Sequence, residues 1–148
     1  MIIKRTDSSD IDFQKLVRLL DAELAIRNGE DNSFFEQFNK IDLIKNCVII
    51  YIVDIPVACG AFKEFNNDSV EIKRMFTNPE FRRKGLATKI LEELEIWAKQ
   101  LGYEKAVLET LAEENEAVFV YQKNGYKRIP NYGQYVGIDK SACFEKVL

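Results

Sequence analysis

The sequence predicts an α/β chain (an α+β mixed sheet) in the order β-α-α-β-β-β-α-β-α-β-β, with helices on both faces. Three observations carry this. Apolar residues recur at helical spacing before residue 29 and between 86 and 101. The stretch between those helices consists of short apolar runs broken by turn residues. The second helix lies between two strand-like segments, the arrangement that makes its flanking strands parallel neighbours.

Met1–Arg5 reads as a first strand. Ser9 is the expected N-cap of a helix that buries Phe13, Leu16, Val17, Leu20 and Leu24 on one face and stops at Asn28-Gly29. A shorter helix is expected around Phe34–Phe38. Cys47–Val53, Val57–Phe62 and Ser69–Phe76 then form an antiparallel meander, with turns at Asp54-Ile55-Pro56 and Asn66-Asn67-Asp68. Leu86, Ile90, Leu91, Leu94, Trp97, Ala98 and Leu101 mark a long amphipathic helix ending at Gly102. Lys105–Leu111 is a strand, Asn115–Asn124 a helix closed by Gly125, and Cys143–Leu148 the last strand.

Composition narrows the chemistry. At 148 residues, 47% hydrophobic and 30% charged, the chain has the size and composition of one globular domain spanning 1–148. A net charge of -3 supplies no basic field for nucleic acid. The apolar part of Met1–Arg5 is too short for a signal peptide, and no stretch approaches the ~20 apolar residues of a membrane span. A cytoplasmic protein without a membrane or nucleic-acid partner is expected. There is no histidine, which removes Ser-His and Cys-His nucleophiles and any His-ligated zinc. Cys47, Cys59 and Cys143 are widely spaced among apolar residues and read as reduced core thiols, so no metal is expected.

The informative segment runs from Met75 to Thr88: Met-Phe-Thr-Asn-Pro-Glu-Phe-Arg-Arg-Lys-Gly-Leu-Ala-Thr. A strand ends, the chain turns at Pro79, and Gly85 stands where a helix begins. Unpaired first-turn amides and the helix dipole make such a junction an anion site, and Arg82, Arg83 and Lys84 add positive charge. A solvated basic loop is the competing reading of these residues alone. The segment is neither a Gly-Lys-Ser/Thr phosphate loop nor a GxGxxG turn.

Arg82-x-x-Gly85-x-Ala87 resembles the Gln/Arg-x-x-Gly-x-Gly/Ala signature of the GNAT acetyltransferases, with alanine at 87 an accepted variant. Ala117-x-x-x-Tyr121-x-x-x-Gly125-Tyr126 is similar to a second pattern of that family, in the same order and separated by the same elements. The resemblance is most specific from Ser69 to Tyr126. It implies an N-acetyltransferase with acetyl-CoA as cosubstrate, the amine of the acceptor attacking directly in a ternary complex. It implies that Met75, Phe76 and Thr77 line the pantetheine, and that the loop Arg82, Arg83, Lys84, Gly85, Leu86, Ala87 and Thr88 holds the pyrophosphate. Tyr121 takes the family's general-acid position. Glu71, eleven residues before Arg82, matches a strand glutamate that serves as general base in the histone-acetylating branch.

Alternatives remain at several positions. Glu71 is also explained as an ion-pair partner of Lys73, two residues on along the same strand face. Tyr121 is also explained as a helix-face aromatic against Ala117 and Val118. Where the family often has asparagine, Glu114 stands, with Asn115 one place later. The Ile129–Tyr135 loop, together with Ser141-x-Cys143-Phe144-Glu145-Lys146, is similar to a subgroup of small bacterial GNAT proteins. It either walls the acceptor site through Tyr132 and Tyr135 or covers the sheet edge. A non-catalytic acyl-CoA-binding module is the alternative function. The acceptor is open among amino acid, polyamine, aminoglycoside and protein amine, and a homodimer is compatible with the chain, dimers being the commonest assembly.

Overall fold

The computed structural model describes residues 1–36, 43–113 and 115–148. The elements are β1 (Ile2–Thr6), α1 (Ile11–Asn28), α2 (Asn32–Glu36), β2 (Asn46–Ile52), β3 (Ile55–Asn66), β4 (Ser69–Thr77), α3 (Leu86–Gln100), β5 (Lys105–Leu111), α4 (Glu116–Lys123), β6 (Lys127–Ile129) and β7 (Ser141–Val147). This is the predicted order. The strands hydrogen-bond as a mixed sheet in the order β1-β2-β3-β4-β5-β7-β6, with β4 and β5 parallel. The chain forms two compact units, Met1–Phe62 with Arg74–Leu94 and Lys63–Lys73 with Glu95–Leu148.

In the first unit, α1 begins one residue later than the Ser9 cap predicts. Asp10 is the cap, its Oδ1 accepting from the amides of Asp12 at 2.9 Å and Phe13 at 3.3 Å. Ser9 turns its hydroxyl to Asp7 instead. Phe13, Leu16, Val17 and Leu20 of α1 bury against Cys47 and Ile49 of β2, Cys59 and Ala61 of β3, and Phe76 of β4. Alternate residues of β2, Val48 and Ile50, are equally buried. Burial on both strand faces explains why β2 is continuously apolar rather than alternating. On β3, Gly60 faces the other helix. A Cβ there would lie 2.5 Å from Met75 Sδ and 2.6 Å from Ile90 Cγ2 of α3, so glycine permits the close approach.

The β2–β3 hairpin turns at Val53-Asp54 rather than at Asp54-Ile55-Pro56. Both turn residues are left-handed (φ 48° and 64°), and Ile52 pairs with Ile55 across them. Pro56 is carried in the strand opposite Tyr51, beside a register shift in β2.

In the second unit, β5 lies between β4 and β7, with Glu71 opposite Val107, Glu109 opposite Cys143, and Cys143 opposite Ile129. Period-2 alternation therefore sets Glu71, Lys73, Val107, Glu109, Cys143 and Glu145 on one face. Ala106, Leu108, Phe144 and Lys146 lie on the other. Glu95 of α3 serves that second face, accepting from Tyr126 Oη at 2.9 Å and Lys146 Nζ at 2.8 Å.

The expected helix around Phe34–Phe38 is realised as α2 up to Glu36; its last two positions lie outside the described residues, as does Glu114. All three cysteines are buried and free of disulfides. Among the described residues, no helix is long and apolar enough to cross a membrane.

Candidate active site

The first unit carries the strand-to-helix junction. Lys89 N–H bonds to Gly85 O at 3.2 Å, so the amides of Leu86 and Ala87 precede the first intrahelical bond of α3. Gly85 has φ +78°, and a Cβ built on it meets nothing within 4 Å. The junction thus presents helix-end amides and an open, side-chain-free approach, the geometry a phosphate oxygen needs. Arg83, itself left-handed at φ 64°, and Lys84 are exposed beside it, with Lys84 Nζ 5.3 Å from the Phe81 ring centre.

Arg82 is engaged differently. Its Nε donates to Thr77 O at 2.8 Å, and its Nη2 pairs with Glu23 Oε2 of α1 at 2.7 Å. The guanidinium ties the end of β4 to the loop it precedes and to α1. Nothing in the sequence motif announced Glu23.

Just before the loop, β4 is irregular. Its parallel pairing with β5 covers Ser69↔Lys105 to Glu71↔Val107, although β4 runs on to Thr77 and β5 to Leu111. Arg74 then adopts φ +60°, a conformation costing an L-residue roughly 1–2 kcal/mol. Its guanidinium is buried and paired with Asp21 of α1 at 2.8 Å, while its carbonyl accepts from Cys59 Sγ at 3.4 Å. Strain held in this way re-aims the backbone that follows, and places Met75 toward α3 and Phe76 toward α1.

The second unit carries Glu71, Glu109, Tyr121 and Tyr132. Glu71 is 5% exposed. Its Oε2 accepts from Tyr132 Oη at 2.7 Å, and its Oε1 stands 3.8 Å from Lys73 Nζ and 4.0 Å from Lys63 Nζ. The ion pair with Lys73 is therefore present, but the short contact is to Tyr132. The Tyr132 ring packs edge-on against Phe65 at 4.8 Å and Tyr135 at 5.9 Å. Tyr121 is buried and edge-on to Tyr126 at 6.0 Å. Burial first, then the Glu109 charge, raises its phenol well above the usual tyrosine value, so it stays a proton donor. Asn115 does local work, its side chain capping α4 through the Val118 amide at 3.1 Å.

Glu109 escaped the sequence reading. It sits on β5, on the face that carries Glu71, and accepts from Ser141 Oγ at 2.7 Å. Burial raises its carboxyl above the ordinary range, against the opposing pull of the Ser141 hydroxyl and Lys73. The available signal was an acidic residue inside the apolar run Ala-Val-Leu-Glu-Thr-Leu. Among the described residues, no cluster of metal-ligating side chains forms.

Comparison with known proteins agrees with this architecture. The chain is 34% identical over 93 residues to the uncharacterized N-acetyltransferase YsnE of Bacillus subtilis, covering 62% of this chain and 61% of that one. It thus spans about three fifths of that curated relative's length. Among solved structures, it is similar to a candidate acyl-CoA N-acyltransferase of Klebsiella pneumoniae, with a TM-score of 0.82, 26% identity, and 99% and 97% of the two chains covered. It shares its fold with the PaiA N-acetyltransferase of Thermoplasma acidophilum in complex with coenzyme A, at a TM-score of 0.73, 19% identity and complete coverage of both chains. The model of the acetyltransferase (GNAT) family matches residues 14–126, spanning the β4–α3 loop and both sequence patterns, and the chain belongs to that family.

Proposed function

We propose that the protein is an acetyl-CoA-dependent N-acetyltransferase that acetylates an amine acceptor by direct attack. The observation that carries this reading is the Gly85 junction, where helix-end amides lie beside a positive-φ glycine with open space around it. These residues suit a pyrophosphate, which the amides of Leu86, Ala87 and Thr88 would hold, with Arg83 and Lys84 adding charge. Arg82 shapes the loop through Thr77 and Glu23. Met75, Phe76 and Thr77 follow the Arg74 irregularity and are assigned to the pantetheine, with a backbone amide of this stretch donating to the thioester oxygen.

Acetyl-CoA supplies the activated acyl carbon. Glu71 takes one proton from the acceptor ammonium, leaving a neutral amine whose lone pair forms the C–N bond as the C–S bond breaks. Tyr121 donates its proton to the departing sulfur, and the second proton shed by the nitrogen as the amide forms restores the phenol by way of solvent. The phenol keeps its proton throughout the physiological range and so is available as donor, although burial makes it a weaker acid. On this reading residues 1–148 are one domain of a cytoplasmic protein, and the acceptor is a small-molecule or protein amine.

Calorimetric titration with acetyl-CoA, with CoA and ATP as controls, tests the reading. Micromolar binding of acetyl-CoA with much weaker ATP supports it. No binding by folded protein removes the cosubstrate on which it depends.

A further inference from the structure

Tyr132 and Glu71 lie 61 residues apart in sequence, yet the phenol meets the carboxylate at 2.7 Å within one compact unit. The loop that delivers Tyr132 is pinned independently of this contact. Asn131 Nδ2 lies 3.1 Å from Tyr135 O and 3.0 Å from both Ile138 O and Ser141 O, drawing the chain between β6 and β7 into a closed turn. The Tyr132 ring packs edge-on against Phe65 and Tyr135, contacts that hold it in addition to its bond to the carboxylate.

The consequence falls on Glu71. A glutamate carboxylate turns about a broad, roughly two-fold terminal torsion, so its two oxygens are otherwise interchangeable. Here Oε2 is held by the hydroxyl, while Oε1 stands beyond hydrogen-bond distance of either Lys73 or Lys63. We propose that Tyr132 is a positioning residue for Glu71, holding Oε2 so that Oε1 is the oxygen that receives the acceptor's proton. This rests on the proposed reading of Glu71 as base and replaces the expectation that Tyr132 itself binds the acceptor.

The step balances simply. One proton passes from the ammonium to Oε1, giving a neutral amine and a carboxylic acid, and the phenol proton stays on Tyr132. Burial, and then the neighbouring Glu71 charge, push the Tyr132 ionisation far above the usual tyrosine range, so it remains a donor at any working pH.

Tyr132→Phe keeps the ring and its edge contacts while deleting the hydroxyl. With n-propylamine as a small probe amine, this variant is expected to lower kcat about tenfold, the size of one charge-assisted hydrogen bond. Acetyl-CoA affinity should stay within about threefold, and the variant should remain folded with a modestly lower urea midpoint, since a buried carboxylate loses one donor. Glu71→Gln is expected to lose more, and adding Tyr132→Phe to it should cost nothing further, because the tyrosine acts only through the carboxylate. Wild-type turnover retained in Glu71→Gln overturns the base reading. A fall in Glu71→Gln with no fall in Tyr132→Phe overturns the positioning role alone.

An acceptor-free measurement decides if the probe amine is not turned over. The Cζ resonance of Tyr132, identified as the tyrosine signal missing from Tyr132→Phe, should shift at neutral pH in Glu71→Gln, because the phenol loses its carboxylate acceptor. An unshifted Tyr132 resonance in Glu71→Gln would mean that the contact does not exist in solution, and the proposal falls.

Discussion

Arg82 and Glu23 meet at 2.7 Å although 59 residues separate them, and the same guanidinium donates to the Thr77 carbonyl at 2.8 Å. A residue that the family pattern associates with the cofactor is thus a brace across α1, the end of β4 and the loop before α3. Both partners are about three-quarters shielded from solvent, which moderates screening without removing it.

If Arg82 acts as a brace, Glu23→Ala and Arg82→Ala should have effects in the same direction. Each is expected to lower stability by about 1–2 kcal/mol and to weaken acetyl-CoA binding several-fold through loop disorder. Urea melts and calorimetry on the two variants check this. Tighter acetyl-CoA binding by Glu23→Ala would mean instead that Glu23 restrains a direct phosphate ligand.

Gly85→Glu should abolish measurable acetyl-CoA binding. It forces an L-residue to φ +78°, costing roughly 1–2 kcal/mol, and sets a carboxylate at the helix end where the pyrophosphate is assigned. Because nothing within 4 Å obstructs the new Cβ, the variant should still fold. Circular dichroism and calorimetry together separate the two effects, and unchanged affinity in a folded variant would sink the assigned anion site.

Tyr121→Phe should slow turnover by about tenfold while leaving acetyl-CoA affinity within about threefold. A thiolate is a good leaving group, so loss of the donor slows rather than abolishes the reaction. Kinetics by thiol release checks it, and undiminished turnover with a competent amine removes Tyr121 from the chemistry.

What the sequence reveals and conceals follows from interaction range. Helix and strand periodicities depend on neighbours within a few residues, so α1, α3 and the apolar cores of β2 to β5 are legible directly. Boundaries are less so. Asp10 displaces Ser9 as cap because its carboxylate reaches two amides, and β3 extends to Asn66 through Lys63, Glu64 and Phe65, whose exposure hides the strand pattern. The Val53-Asp54 turn has no glycine to announce its positive φ values. At the site, the Gly85 loop is legible because one short segment builds it. The Tyr132–Glu71, Arg82–Glu23 and Arg74–Asp21 contacts are not, since each joins residues more than 50 positions apart.

Alkaline pH should destabilise the fold before it affects most surface groups. Burial raises the Cys47 thiol to about 12 and the Cys59 thiol further, and both side chains are completely buried. In the unfolded chain these thiols ionise near ~8.5. Below that pH both states keep the protons and the full stability is present. As pH rises through it, the unfolded chain releases protons that the folded chain retains, so stability falls by about 1.4 kcal/mol per pH unit for each thiol. The loss continues toward the folded value near 12 for Cys47. Near pH ~10 the phenols of Tyr121, Tyr126 and Tyr135, all raised by burial, join in the same direction. Urea midpoints measured from pH 7 to pH 10.5 should therefore decline with a steepening slope, and Cys47→Ala should flatten the first part of the curve. A flat profile to pH 10.5 would mean that these groups ionise as readily in the folded chain, and that its core admits water.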